Sequence, residues 1–302
     1  MNDNLILGRR NFLVSAGVGS LAVTLRPPAL AAAEKAGEKR REITFVVVTD
    51  THLGYRDKPA ATKLWQTETA PEIAKVRADF VLHLGDIVDG GREAEYPNYL
   101  AGRKAIAAPV HEIPGNHDPH ELFEKYLRKP IESAVEHEWL RVLLVGNAHR
   151  DSHEGFLTDE QLEWLAKELA AAAAKGQKVL IAMHVPAHTN KHPDRGWYVK
   201  PEHGQTKLYE MLTAHRERVI ALLHGHFHNG VRGWDDHAPV QEICFPSALY
   251  NQDRNLAEQK APGYYLNELR PGYTVVTISG EKLKLEYRVT GVSEVEGKEF
   301  RI

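Results

Sequence analysis

The sequence predicts an α/β fold whose chemistry is gathered at the carboxyl ends of strands. Three observations carry that expectation. Short β-branched, apolar runs alternate with helical patterns along the chain. Each run breaks into a polar turn carrying Asp, Asn or His, the place where open α/β sheets build their sites. Histidine is abundant, at 17 residues, beside one cysteine, Cys244, which excludes an intrachain disulfide and a cysteine-built zinc site.

Taken in order, residues 1–33 read as an export signal rather than as part of the fold. Arg9 and Arg10 precede Asn11-Phe12-Leu13, and an apolar stretch runs from Phe12 to Leu25. That stretch is short of the roughly 20 apolar residues a bilayer span needs. Ala29-Leu30-Ala31 and Ala31-Ala32-Ala33 both offer small-x-small cleavage sites. The arrangement resembles a twin-arginine signal, which implies export machinery as a partner and a periplasmic or extracellular destination. No interior apolar run reaches membrane length, so stable membrane insertion is not expected.

The remainder, 34–302, reads as a single domain. Apolar runs predict strands over 43–49, 80–84, 110–113, 178–184 and 219–223, with helices expected at 62–77, 120–128, 158–175 and 205–217. The third helix is the clearest. Thr158 and Gln161 form a capping box, Leu162, Leu165 and Leu169 mark one face, and Gly176 ends it. From Tyr264 to Val289 the chain alternates and is broken by Pro271-Gly272 and Ser279-Gly280, which predicts antiparallel strands completing a second sheet.

Charge narrows the function classes. Lys and Arg total 38 against 41 Asp and Glu, and removal of 1–33 leaves 35 basic and 40 acidic residues. A protein that holds nucleic acid by broad phosphate neutralisation is disfavoured, so no nucleic-acid partner is expected. A zinc peptidase is disfavoured too, because His111-Glu112, His137-Glu138 and His153-Glu154 each lack a second histidine four residues after the first.

Five predicted strand ends deliver oxygen or imidazole groups. Asp50 and His52 are two apart, so on extended chain their side chains would point the same way, as would those of His226 and His228. Asp86 and Asp89 lie in Gly-Asp-Ile-Val-Asp, Asn116 and His117 in Gly-Asn-His-Asp, and His184 stands alone. Mixed carboxylate, amide and imidazole donors suit manganese, iron or zinc better than calcium.

The order Asp-x-His, Gly-Asp-x-x-Asp, Gly-Asn-His-Asp, lone His, Gly-His-x-His resembles the calcineurin-like metallophosphoesterase family, in its bacterial cyclic-nucleotide phosphodiesterase branch. The resemblance spans nearly all of 34–302. It implies a four-layer α/β/β/α sandwich of two mixed sheets with a dinuclear metal site at strand carboxyl ends. One ion would be held by Asp50, His52, Asp86 and His228, the other by Asp86, Asn116, His184 and His226. The resemblance further implies two divalent or mixed-valence ions, a metal-activated hydroxide as nucleophile, and His117 as general acid with Asp89 orienting its imidazole. His224 reads as a buried strand-end group and His83 and His111 as core.

The substrate implied is a small phosphoester. The segment after His184 carries Arg195, Trp197 and Tyr198, and the loop after His52 carries Tyr55 and Arg56; these five are candidate substrate-binding residues. A phosphodiesterase is the leading expectation, with an exported phosphomonoesterase or nucleotidase as the alternative and a non-catalytic scaffold on the same fold as a third reading.

Overall fold

The computed structural model describes residues 42–188, 196–228, 239–250, 270–293 and 295–302. Eleven strands are found among them, in two sheets. The first sheet has the order β11-β10-β9-β1-β2-β3. Its strands are β1 (Glu42–Val48), β2 (Phe80–His83), β3 (Val110–Glu112), β9 (Gly272–Ser279), β10 (Lys282–Val289) and β11 (Val295–Arg301). β1, β2 and β3 run parallel, while β9 pairs antiparallel with β1 and β10, and β10 with β11. The second sheet, in the order β4-β5-β6-β7-β8, comprises β4 (Ser133–His137), β5 (Leu140–Leu144), β6 (Lys178–Ala182), β7 (Val219–His224) and β8 (Gln241–Cys244). Only the β4–β5 pair is antiparallel. Both sheets are therefore mixed.

Three apolar clusters define the layers. Phe45, Val47 and Leu82 of the first sheet meet Val142, Leu144, Leu180 and Leu223 of the second in one buried core, so the sheets pack face to face. Period-2 alternation sends Val46, Val48 and Val81 to the opposite face, onto Trp65, Ile73, Tyr96, Tyr99 and Phe123 of the first helical layer. That layer is built from α1 (Ala60–Leu64), a π turn (Trp65–Thr69), α2 (Ala70–Ile73), α3 (Glu95–Arg103) and α4 (His120–Tyr126). Leu143, Val179 and Ile181 of the second sheet pack on Leu162, Leu165, Leu208 and Leu212 of α5 (Asp159–Ala174) and α6 (Gln205–Ala214). The outcome is the expected helix–sheet–sheet–helix sandwich.

Several elements differ from expectation. The helix predicted over 62–77 starts at Ala60, widens through the π turn and ends at Ile73; Pro71, which lacks an N–H, sits just after that turn. α4 and α6 end at Tyr126 and Ala214, earlier than predicted. α5 has its capping box, with Thr158 Oγ1 accepting from the Gln161 N–H at 3.2 Å. The helix α3 and the strands β4, β5, β8 and β11 were not anticipated. The predicted antiparallel tail forms β9 and β10, but β9 pairs with β1, so the tail extends the first sheet instead of completing a second; 264–269 lies outside the described residues, as does the export segment 1–33.

Candidate metal centre

Five of the parallel or central strands stop at one end of the sandwich, and the residues following them converge. Asp50 and His52 follow β1, Asp86 follows β2, Asn116 and His117 follow β3, His184 follows β6, and His226 and His228 follow β7. Two groups of donors share Asp86: Asp50, His52, Asp86 and His228, and then Asp86, His184 and His226, each with ligand atoms within 4.8 Å of one another; His52, Asp89 and His117 form a third at the edge. Asp86 belongs to both. Asn116, the remaining predicted ligand, is buried on the turn after β3.

Asp50 and His52 do not share a face by strand alternation, as extended chain would require. These residues are not extended: their φ angles are +53° and +42°, and Asp86, His226 and His228 lie at +52°, +73° and +53°. Five predicted ligands thus occupy the left-handed region, uncommon for residues with a Cβ and costing of order 1–3 kcal/mol each. The turns curl back on themselves, which points each side chain at a common centre. Crowding between the turns leaves no room elsewhere: a Cβ on Gly115 would stand 2.2 Å from the Asp86 backbone nitrogen, and one on Gly225 2.1 Å from Thr49 Oγ1.

Hydrogen bonds fix which atom each ligand presents. His184 Nδ1 donates to the Leu84 carbonyl at 2.7 Å, and His52 Nδ1 to Asp89 Oδ1 at 3.1 Å. In both rings Nε2 is left facing the centre, the arrangement by which outer partners orient metal-binding imidazoles. His226 Nε2 donates to the His153 carbonyl at 3.1 Å, so this ring turns its Nδ1 lone pair inward instead. Asp50 Oδ2 is engaged by Thr49 Oγ1 at 2.6 Å and the His226 N–H at 3.2 Å, while Oδ1 faces His228 Nε2 at 2.8 Å.

These residues fit a pair of cations. Buried His184 Nε2 and Asn116 Oδ1 make no well-directed hydrogen bond, although His184 Nε2 is 3.3 Å from Asp86 Oδ2. His52 Nε2 and His228 Nε2 stand 3.0 Å apart and 3.9 and 2.8 Å from Asp50 Oδ1, three donor atoms converging as the ligands of one ion would. Electrostatics agree. Burial pushes the Asp86 carboxyl up, but His184 beside it more than offsets this and holds it well below the usual range. Asp50 behaves alike, with His228 lowering it. Burial pushes the His184 imidazole down, yet Asp86 lifts it to about 9. His226 is pushed well down by burial. Buried carboxylates need positive charge beside them, which the His184 and His228 imidazoles supply here and bound cations would supply in a loaded site.

Around this cage, Asp118 ties the turns together. Its carboxylate accepts from the backbone N–H groups of Ile87, Val88 and Gly115 at 3.0, 3.1 and 2.9 Å. Asn147 Oδ1 accepts from the N–H groups of His184 and Val185, both at 3.1 Å. His224 is buried beside Glu242 at 3.7 Å, outside the ligand groups, as expected.

His117 stands at the edge of the cage, its ring 4.7 Å from that of His52 and edge-on to it. Its orientation comes from Asp89, through the backbone rather than the carboxylate. His117 Nδ1 bonds the Asp89 backbone carbonyl, whereas the Asp89 carboxylate is taken by His52 and lies 3.9 Å from His117. Burial lowers the His117 imidazole, and Asp86 with Asp89 raises it above its ordinary value.

Of the candidate substrate residues, the structure brings three to the cage. Tyr55 lies with its ring 6.5 Å from His52, Arg56 places its guanidinium 4.9 Å over the Tyr55 ring, and Trp197 lies 5.4 Å from His226. The Tyr198 ring joins none of these stacks among the described residues, and its backbone carbonyl is bonded to Gly155. Arg195 lies outside the described residues. Sequence reasoning missed Tyr250, whose ring is 4.6 Å from His228, and His153, stacked on Trp197 at 4.3 Å.

Comparison with known proteins agrees with this geometry. Residues 43–230 match the model of the calcineurin-like phosphoesterase family, and the chain belongs to that family. It is 29% identical over 242 residues to a probable cyclic nucleotide phosphodiesterase of Rhodococcus erythropolis, covering 74% of this chain and 76% of the relative. It is 30% identical over 199 residues to a probable glycerophosphodiester phosphodiesterase of Arcobacter nitrofigilis, covering 61% and 71%. Among solved structures, a dimetal phosphatase from Danio rerio shares the fold, with a TM-score of 0.63 at 14% identity over 86% of this chain and 98% of that one. The protein is a metal-dependent phosphoester hydrolase by family and by site.

Proposed function

We propose that the protein is an exported phosphodiesterase working with two divalent or mixed-valence ions of manganese, iron or zinc. The observation that carries the reading is the pair of donor groups sharing Asp86, with His117 beside them. Two ions held there would supply Lewis acidity to the phosphoryl oxygens and a nucleophile at neutral pH. The chain's own residues do the rest. Asp86 and Asp50 hold negative charge in a buried place, and the Nδ1–H bonds of His52 and His184 keep Nε2 aimed inward. His117, anchored through Nδ1 to the Asp89 carbonyl, presents Nε2 as the atom that passes a proton to the departing alkoxide.

Diester rather than monoester substrate is supported by the diesterase names of both relatives. The test is a rate comparison on manganese-loaded protein with bis-p-nitrophenyl phosphate and p-nitrophenyl phosphate, with Asp86→Asn as control. Faster turnover of the diester is expected; preference for the monoester would move the assignment to phosphatase or nucleotidase. Export through residues 1–33 is part of the proposal, supported by the Arg9-Arg10 pair and the apolar run behind it. Arg9→Lys with Arg10→Lys should trap the protein inside the cell, and unchanged export would remove the twin-arginine reading.

A further inference from the structure

We infer that the cage is flanked by two aromatic walls, each gripping one ester substituent of a phosphodiester, and that Trp197 with His153 selects the substituent that is retained. The inference rests on the phosphodiesterase reading above and extends it to substrate class: diesters carrying a planar ring on the retained side.

The first wall belongs to the donor group of His52 and His228. The Tyr55 and Tyr250 rings stack with centroids 4.8 Å apart, and Tyr250 lies 5.8 Å from His52. It is anchored to the cage through Ser247, whose hydroxyl donates to the Asp50 carbonyl at 2.8 Å and accepts from the Leu249 and Tyr250 N–H groups at 3.1 and 3.2 Å. The second wall belongs to the group of His184 and His226. Trp197 stacks on His153, and His153 lies 5.6 Å from His226. This wall is pinned as well. Gly155 bridges to Val199, and the Glu154 carboxylate pairs with Lys200 and, at 3.4 Å, with His203.

Tyr55, Tyr250 and Trp197 are half-buried and the His153 side chain is exposed, so each wall keeps part of its ring faces in reach of solvent beside a polar cage. Stacking on such faces is insensitive to the ring's exact identity and favours planar groups over alkyl ones. His117 assigns the sides. It packs on His52, the histidine that also faces Tyr55 and Tyr250, so the leaving oxygen lies on the tyrosine side. The retained substituent then falls to Trp197 and His153.

Two diesters with one leaving group test this: bis-p-nitrophenyl phosphate and methyl p-nitrophenyl phosphate, which differ only in the retained substituent. On the manganese-loaded full chain, Trp197→Ala should raise KM for the bis-aryl ester over that for the methyl ester by roughly three- to tenfold, with kcat ratios unmoved. Trp197→Phe should restore most of the ratio. His153→Ala, which keeps the backbone carbonyl that holds His226, should shift the same ratio in the same direction. Tyr250→Ala should raise KM for both esters alike, because both release p-nitrophenolate. As a binding readout, diphenyl phosphate should lose more inhibitory strength than dimethyl phosphate in Trp197→Ala. Equal changes for the two esters in Trp197→Ala, no change in either, or loss of bound manganese in that variant would overturn the inference by making the wall structural. Wild-type preference for p-nitrophenyl phosphate would sink the phosphodiesterase reading, while the comparison of the two diesters would still decide the walls.

Discussion

The core between the sheets and the cage at their ends are separated by only one or two residues of chain, yet they obey opposite rules. In the core, Phe45, Val47, Leu82, Leu180 and Leu223 are buried, apolar and in regular strand conformation. A few residues on, Asp50, His52, Asp86, His226 and His228 are equally buried, charged or polar, and held at positive φ. The lesson is that the first region supports the second. Strain and desolvated charge persist only where surrounding structure over-determines them. The parallel strands fix where each chain leaves the sheet, and Asp118 and Asn147 then clamp the turns that follow.

Changes to the turns should therefore destroy chemistry, and changes to the core should cost stability alone. The largest effect is expected from Gly115→Ala, whose new methyl would collide with the Asp86 backbone; activity and metal binding should vanish together, read by turnover and elemental analysis. Next is His117→Ala. Metal should remain, while hydrolysis slows by about 10²–10⁴-fold for esters with poor leaving groups and much less for p-nitrophenolate esters. An equal loss for both classes would remove the proton-donor role.

A core substitution sharpens the contrast from the other side. Leu180→Ala should lower unfolding free energy by about 2–5 kcal/mol, since the side chain is fully buried between the sheets. Turnover well below the lowered Tm should stay near the wild-type value. The smallest effect concerns pH. Burial, with Arg128 nearby, pushes the His111 imidazole down to about 4 from 6.5. Its folded pKa is below its unfolded one, so the unfolded chain takes up the proton first and stability drains away as pH falls from about 6.5 towards 4. His111→Gln should flatten that part of the urea-midpoint profile without changing the midpoint's value near pH 8 relative to pH 7.

What the sequence made legible follows the same division. The central strands β1, β2, β6 and β7 are continuous apolar runs buried on both faces, and such runs announce themselves. β4 lies at a sheet edge with partly exposed positions throughout, and β8, at the other edge, opens on Gln241-Glu242, so neither leaves a continuous apolar run to read. α3 carries Pro97 and Gly102, two residues that argue against a helix, and Gly102 is kept because a Cβ would stand 2.5 Å from Trp65 Nε1. The ligands were legible because their order is a motif. Their left-handed geometry was not, because Asp and His give no signal for it as glycine would. Tyr250, His153 and Asn147 stand outside any motif and reach the cage only through folding.

The central claim is that one carboxylate, Asp86, joins two cation sites into one centre. Metal stoichiometry of purified wild-type protein and Asp86→Asn, loaded with manganese under identical conditions, tests it most directly. Two ions per chain in the wild type, falling below one in Asp86→Asn with turnover lost, is the expected result. Two ions and near-native turnover in Asp86→Asn would contradict it.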